Sequence, residues 1–176
     1  MDQIALLAGR KPWSEDDMRK LCSGKVEVMT VADAVRRGNI DAVLGPHGAA
    51  ILLFETEPGY GHWVALIRVD KYTMEWFDSY GIEPEGELKM IPAHFRHQSK
   101  QDYPYLTQMI REGGYRKLLY NSEHLQSSGP NMSTCGRWAS MRVAMKEFPL
   151  ETFVKLFTNQ KLKPDQYISM LTMFVR

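Results

Sequence analysis

The sequence is poor in cysteine, in long apolar runs and in net charge, and each shortage excludes a class of protein. Of its 176 residues only Cys22 and Cys135 are cysteines. Small secreted scaffolds held by disulfides use more, so a reducing compartment is expected. The apolar run at residues 4–8 is too short for a secretory leader and is preceded by acidic Asp2 rather than by a basic start. No stretch approaches the ~20 apolar residues of a membrane span, so no membrane role is expected. The 22 basic residues are balanced by 21 acidic ones, for a formal charge of +1. That balance argues against a chain built mainly for nucleic acid. Only a local patch from Arg36, Arg37, Arg111, Arg116, Lys117 and Arg137 would serve. There is no repeat, no low-complexity tract and no glycine motif for phosphate. His94, His97 and His124 do not make a zinc ligand set with the cysteines. Neither a cofactor nor a metal is expected.

The remaining composition, 44% hydrophobic and 24% charged, is that of an ordinary globular chain. Length and the lack of a linker give a single domain, residues 1–176. Helix signals open WSEDDMRKLC (13–22), with Ser14 as N-cap, and TVADAVRRGN (30–39), with Thr30 as cap and Gly38 as stop. The continuous apolar run AAILLFET (49–56) predicts a buried strand. HWVALIRVD (62–70) and YTMEWFDSYG (72–81) predict a hairpin across Asp70-Lys71. Residues 82–100 predict a polar loop with a short helix, followed by a helix over 105–114 and a strand over 115–121. Helices follow over 134–148, 151–157 and 164–174, with Met141, Met145, Met170 and Met173 as core filler. This order predicts an α+β fold, a mostly antiparallel central sheet flanked by helices.

Four residues carry candidate chemistry. Cys135, in NMSTCGRWAS, falls in the first turn of the predicted helix 134–148. Free amides and the helix dipole there favour a thiolate, the reactive form of cysteine. Gly136 beside it lets backbone or substrate come close. A free cysteine is also a common core residue, and Cys135 alone fits either reading. His62, in GYGHWV, stands at a strand mouth, where its ring can hold a thiolate and protonate a leaving amine. Its alternative is a half-exposed strand histidine. Asp78, in MEWFDSYG, would lie near His62 if the hairpin forms and could fix the ring's tautomer. Its alternative is a turn aspartate. Gln126, in HLQSSGPN, could join the Cys135 amide in stabilising an oxyanion. Alone it is only a loop glutamine.

Together, the phrases GHWVALIRV, WFDSYG and LQSSGPNMSTCGRW resemble the adenovirus maturation protease (adenain) family and its wider clan, which includes the SUMO-deconjugating proteases. YNSEHLQS (120–127) is similar to the proteases of virophages and Polinton-type elements. The resemblance covers residues 45–148. It implies a papain-like, adenain-like fold with the nucleophile at the start of a buried helix, and a viral thiol endopeptidase. His62 and Cys135 would form the ion pair, Asp78 would orient His62, and Gln126 would serve the oxyanion. Trp63 and Gly136 would contact substrate, although Trp63 also fits a plain core role. The implied substrates are capsid or other structural precursor proteins, cleaved in the infected cell and the virion during maturation. The implied further partners are an activating viral peptide or viral DNA.

The chain departs from the adenovirus pattern in three ways. It has Asp78 where the adenovirus enzymes have glutamate, an unusually long nine-residue interval from Gln126 to Cys135, and no mid-chain cysteine for a disulfide-tethered peptide. The alternatives are a deconjugase for ubiquitin-like proteins and a catalytically silent binding module of the same fold.

Overall fold

Every position from Ala49 to Phe54 is buried, because the strand they form has helices on both faces. The computed structural model of the chain describes residues 7–129 and 132–175. Pro130 and Asn131, part of the GPN phrase behind the resemblance, lie outside the described residues, as does most of the 4–8 run. In chain order the elements are α1 (Glu15–Leu21), β1 (Glu27–Thr30), α2 (Val31–Arg37), α3 (Ile40–Leu44), β2 (Ala49–Glu57), β3 (Tyr60–Arg68) and β4 (Thr73–Phe77). A 3-10 helix (Gly86–Met90), α4 (Ala93–Arg96), α5 (Tyr105–Glu112), β5 (Lys117–Tyr120), α6 (Cys135–Ala144), α7 (Leu150–Thr158) and α8 (Pro164–Leu171) follow.

Local chemistry sets several boundaries where the sequence expects them. Ser14 and Asp17 form a reciprocal capping box at α1, the Ser14 hydroxyl accepting the Asp17 amide at 3.2 Å and the Asp17 carboxylate accepting the Ser14 amide at 3.0 Å. Thr30 caps α2 at 3.1 Å, and Gly38 ends it in the left-handed conformation. The helix expected over 134–148 stops at Ala144 instead. Beyond that point the Arg142 guanidinium takes the carbonyls of Met145 and Phe148, which ends the helical ladder. Strand β1 and helix α3 are too short to leave a periodic pattern, and the sequence did not announce them.

The five strands pair in sequence order, and the sheet is mixed. β2–β3 and β3–β4 are antiparallel, as the hairpin signals require, while β1–β2 and β4–β5 are parallel. Alternation along β2 and β3 divides the core. Ile51, Ala65 and Ile67 face Met18, Trp138 and Phe153, whereas Leu52, Phe54, Val64 and Leu66 face Ile40, Leu44, Trp76 and Leu106. Each large apolar side chain fully buried in these layers contributes about 1.5–3 kcal/mol. A bidentate ion pair, Arg142 to Glu75 at 2.6 and 3.0 Å, is sealed between α6 and β4.

This topology gathers the candidate residues at one end of the sheet. β3 and β4 pair Ala65 with Phe77, and continuing that register sets His62 beside Tyr80. Because β5 runs parallel to β4, the chain leaving Tyr120 emerges at the end where Asp78 stands. α6 lies along β3. Among the described residues no helix is long and apolar enough to cross a membrane.

Candidate active site

His62 enters the site from a strand whose approach tolerates only glycine. A Cβ on Gly61 would sit 1.8 Å from the Phe54 carbonyl oxygen. That close approach follows from a register irregularity between Glu55 and Glu57. The imidazole is buried, stacks on Tyr80 with centroids 4.7 Å apart, and meets Asp78 Oδ1 through Nε2 at 3.1 Å. Nδ1 is left free of Asp78, and Cys135 is near enough to the ring for each to shift the other's titration.

The electrostatics of the pair are mutual. Burial alone would depress the imidazolium, but hydrogen bonds and charge from Asp78 and Cys135 outweigh it and lift His62 to about 10. Burial alone would raise the Cys135 thiol. The His62 bond and charge, with the amides of Trp63 and Gly136, reverse this and hold the thiol below its ordinary value. Burial likewise opposes ionisation of Asp78, and the contact with His62 overcomes it, lowering the carboxyl. All three shifts favour the charged forms, thiolate, imidazolium and carboxylate.

Asp78 is fixed by its surroundings. Oδ1 also accepts the Tyr80 amide at 2.6 Å, and the Asn121 side chain donates to the Asp78 carbonyl at 2.7 Å. Gly81 closes the turn in the left-handed conformation, and a Cβ there would meet the Ser122 carbonyl oxygen at 2.8 Å.

Gln126 is brought to the same corner. Its backbone amide donates to the Ser79 carbonyl at 2.9 Å, and its Oε1 accepts the Ser79 hydroxyl at 2.7 Å. Nε2, the donor side of the amide, reaches the Tyr80 hydroxyl at 3.3 Å. The long interval between Gln126 and Cys135 is stapled at both ends by Asp165 of α8. One carboxylate oxygen accepts the Ser127 amide at 2.5 Å, and the other accepts the Thr134 hydroxyl at 2.6 Å and the Trp138 indole at 3.0 Å. Thr134 thereby spends its hydroxyl away from the helix, leaving the first turn of α6 uncapped beside the sulfur.

Half-buried Cys135 opens on a cleft of about 410 Å³ between α1 and the β2–β3 turn, lined in part by Trp13, Glu15, Gly59, Gly61 and Trp63. Trp63 serves in both of its expected settings, flanking the cleft and packing on the core beneath α6. Gly136 borders the cleft, and a Cβ there would come within 3.4 Å of Trp13 and 3.5 Å of Met18 in the α1 region. Sequence reasoning missed Asp165, Tyr80, Ser79, the contribution of α1, and Glu87, which lies in the segment expected to be a polar loop. It also placed Arg137 in a surface patch. Arg137 is buried, stacked on Trp13 and bonded to Thr172 and the Ala8 carbonyl, so it cannot serve there. Arg111, Arg116 and Lys117 do share a surface groove. Cys22 is buried, and its thiol is pushed up to about 12 chiefly by burial, so it is unsuited to tether a peptide.

No protein-family model matches the chain. The fold is similar to that of the ASFV pS273R protease, with a TM-score of 0.53 at 16% identity, covering 95% of this chain and 69% of that one. In sequence the chain is 36% identical over 163 residues to uncharacterized protein V9 of Sputnik virophage, an alignment spanning 90% of this chain and 93% of the virophage protein. At that identity and coverage, the α+β chain described above belongs to the family of the Sputnik virophage protein V9.

Proposed function

We propose that the chain is a viral cysteine endopeptidase of the adenain type, which processes capsid or other structural precursor proteins during maturation in the infected cell and the virion. The observation that carries this reading is the position of His62, bonded to Asp78 through Nε2 and near enough to Cys135, at the start of α6, for the two to shift each other's titration. A grouping of this kind at a helix start beside an open cleft has the parts that acyl transfer needs.

The chemistry follows from those positions. The Cys135 thiolate attacks the scissile carbonyl carbon, and the C–O π pair moves to oxygen. The Cys135 amide and Gln126 Nε2 stabilise that oxyanion. Collapse breaks the C–N bond while the His62 imidazolium gives its proton to the leaving amine, leaving a thioester. His62, now neutral, takes a proton from water as the hydroxide oxygen adds. The second collapse expels the thiolate and releases the acid product, which gives its proton to solvent and leaves as the carboxylate. Asp78 keeps the ring oriented and stabilises its positive form throughout.

The confined cleft beside Trp63 suits small residues, glycine above all, next to the scissile bond. The test is cleavage of a panel of short peptides drawn from structural precursors of the parent virus, with Cys135→Ala and His62→Ala as controls. Turnover of glycine-flanked peptides that both substitutions abolish supports the reading. Equal turnover of bulky-flanked peptides removes the size preference. Cleavage only of intact ubiquitin-like conjugates makes the chain a deconjugase. No turnover, with Cys135 labelling as an ordinary thiol, makes it a silent binding module.

A further inference from the structure

Glu87 lies in the 3-10 helix Gly86–Met90, is fully buried, and has no part in the chemistry above. Its Oε1 accepts the Trp76 indole N–H at 3.3 Å. Its Oε2 has no hydrogen-bond partner among the described residues, and neither does Asp78 Oδ2. The two carboxyls are neighbours: Trp76, whose indole Glu87 holds, lies two residues before Asp78 in the chain, and each carboxyl shifts the other's titration. Two carboxylate oxygens are acceptors only, so the contact is satisfied when one of them carries a proton. A bare buried pair would combine two desolvated acceptors with like-charge repulsion.

We propose that Glu87 is held as the neutral acid and donates its Oε2–H to Asp78 Oδ2, making it a positioning residue for the Cys135–His62 site. This inference rests on the protease reading for its consequence, though not for the proton itself. The proton has one place to be, because Asp78 must stay ionised to serve His62. Burial first, then the bond and charge of Asp78, push the Glu87 carboxyl up to about 9, against a smaller pull from its own backbone and His62. Asp78 and, beyond it, His62 are the charged groups acting on Glu87. Of the other charged groups on this segment, Glu85 is turned to α5, where it accepts the amides of Leu106 and Thr107 at 3.0 Å, and Lys89 pairs with Glu83 at the surface. The Glu85 staple fixes the 3-10 helix against the domain. With Oδ2 engaged from behind, Asp78 cannot turn, and Oδ1 stays aimed at His62 Nε2 and the Tyr80 amide.

The test compares full-length wild type with Glu87→Gln and Glu87→Leu. Glutamine keeps one donor for Asp78 and one acceptor for Trp76, and leucine supplies neither. The infrared difference spectrum, wild type minus Glu87→Gln, should show the C=O stretch of a protonated carboxyl near neutral pH, fading as pH passes about 9. Iodoacetamide labelling of Cys135 at mildly acidic pH should stay within about twofold of wild type in Glu87→Gln. In Glu87→Leu it should slow by about tenfold or more, the scale set by one bare buried carboxylate oxygen. Absence of the band near neutral pH, or a glutamine variant as slow as the leucine one, overturns the proposal. A band present in a protein whose Cys135 labels like an ordinary thiol overturns the protease reading and leaves the Glu87–Asp78 proton in place.

Discussion

Asp165 accepts the Thr134 hydroxyl at 2.6 Å, and so a residue of α8 seats the first turn of the helix that carries Cys135. The same carboxylate holds the Ser127 amide and the Trp138 indole. Asp165→Ala leaves two buried donors, the Thr134 hydroxyl and the Trp138 indole, and the partly buried Ser127 amide unmatched. Its expected cost is about 3–5 kcal/mol in a urea melt, together with slower Cys135 labelling even under conditions where the variant is fully folded. A variant that melts and labels like wild type would show that the loop is held by other contacts.

The paired shifts of His62 and Cys135 fix a pH window. Below the depressed thiol value the sulfur is protonated and inert, and above about 10 His62 loses its proton. Peptide turnover should be bell-shaped between these limits. Asp78→Asn removes the charge that holds the imidazolium, so the alkaline limb should move down by about one to three pH units. A limb that stays put in this variant would mean that Asp78 does not set the state of His62.

The same shift affects stability, with a definite sign. His62 is raised from 6.5 to about 10 on folding, so the stability it contributes is fully present below pH 6.5 and is lost as pH rises through about 10. The gap in Tm between wild type and His62→Ala should therefore narrow across that interval. A gap independent of pH would mean that His62 acts through packing alone.

Gly61→Ala places a methyl carbon against the Phe54 carbonyl, where no rotamer relieves it. The strand must shift, and His62 moves with it. We expect a loss of about 2 kcal/mol or more and a fall in Cys135 labelling at mildly acidic pH. Alanine at nearby Gly59, whose Cβ meets open space but whose φ is 73°, should cost about 1 kcal/mol and leave labelling unchanged. Equal effects of the two substitutions would argue against register as the cause.

Removing either half of the Arg142–Glu75 pair strands a buried charge. Arg142→Ala and Glu75→Ala should each cost about 3–5 kcal/mol by denaturant titration. Replacing both with apolar residues of similar volume should recover most of the loss. A double replacement as unstable as the singles would show that the carbonyl contacts of Arg142, and not the ion pair, are what matter.

Much of this was legible in the chain itself, because local signals are written in local residues. Ser14, Thr30 and Gly38 mark helix ends by their own hydrogen bonds and backbone conformation. The β2–β3–β4 meander follows from apolar strands and short turns. The approach of Asp78 to His62 could be read from that hairpin, since register alone brings them together. The parallel pairings of β1 and β5 could not, because they join segments with no turn between them. Glu87 looked like one charge in a polar loop, and only burial against Trp76 and Asp78 distinguishes it from Glu83. Asp165 looked like a first-turn helix acid, a common residue with a common purpose. Its three bonds reach back to residues 127, 134 and 138, and no spacing rule connects them. Arg137 misled in the opposite direction, since a basic side chain in a helix is ordinarily taken for surface.

The staple from Asp165 to Thr134 spans 31 residues, and it points backward along the chain. A ribosome therefore releases the cysteine, the histidine and their carboxylate before it releases the group that locks them in register. A nascent chain halted short of residue 165 carries the nucleophile on an unanchored turn, so reactivity should arrive late in synthesis rather than grow with length.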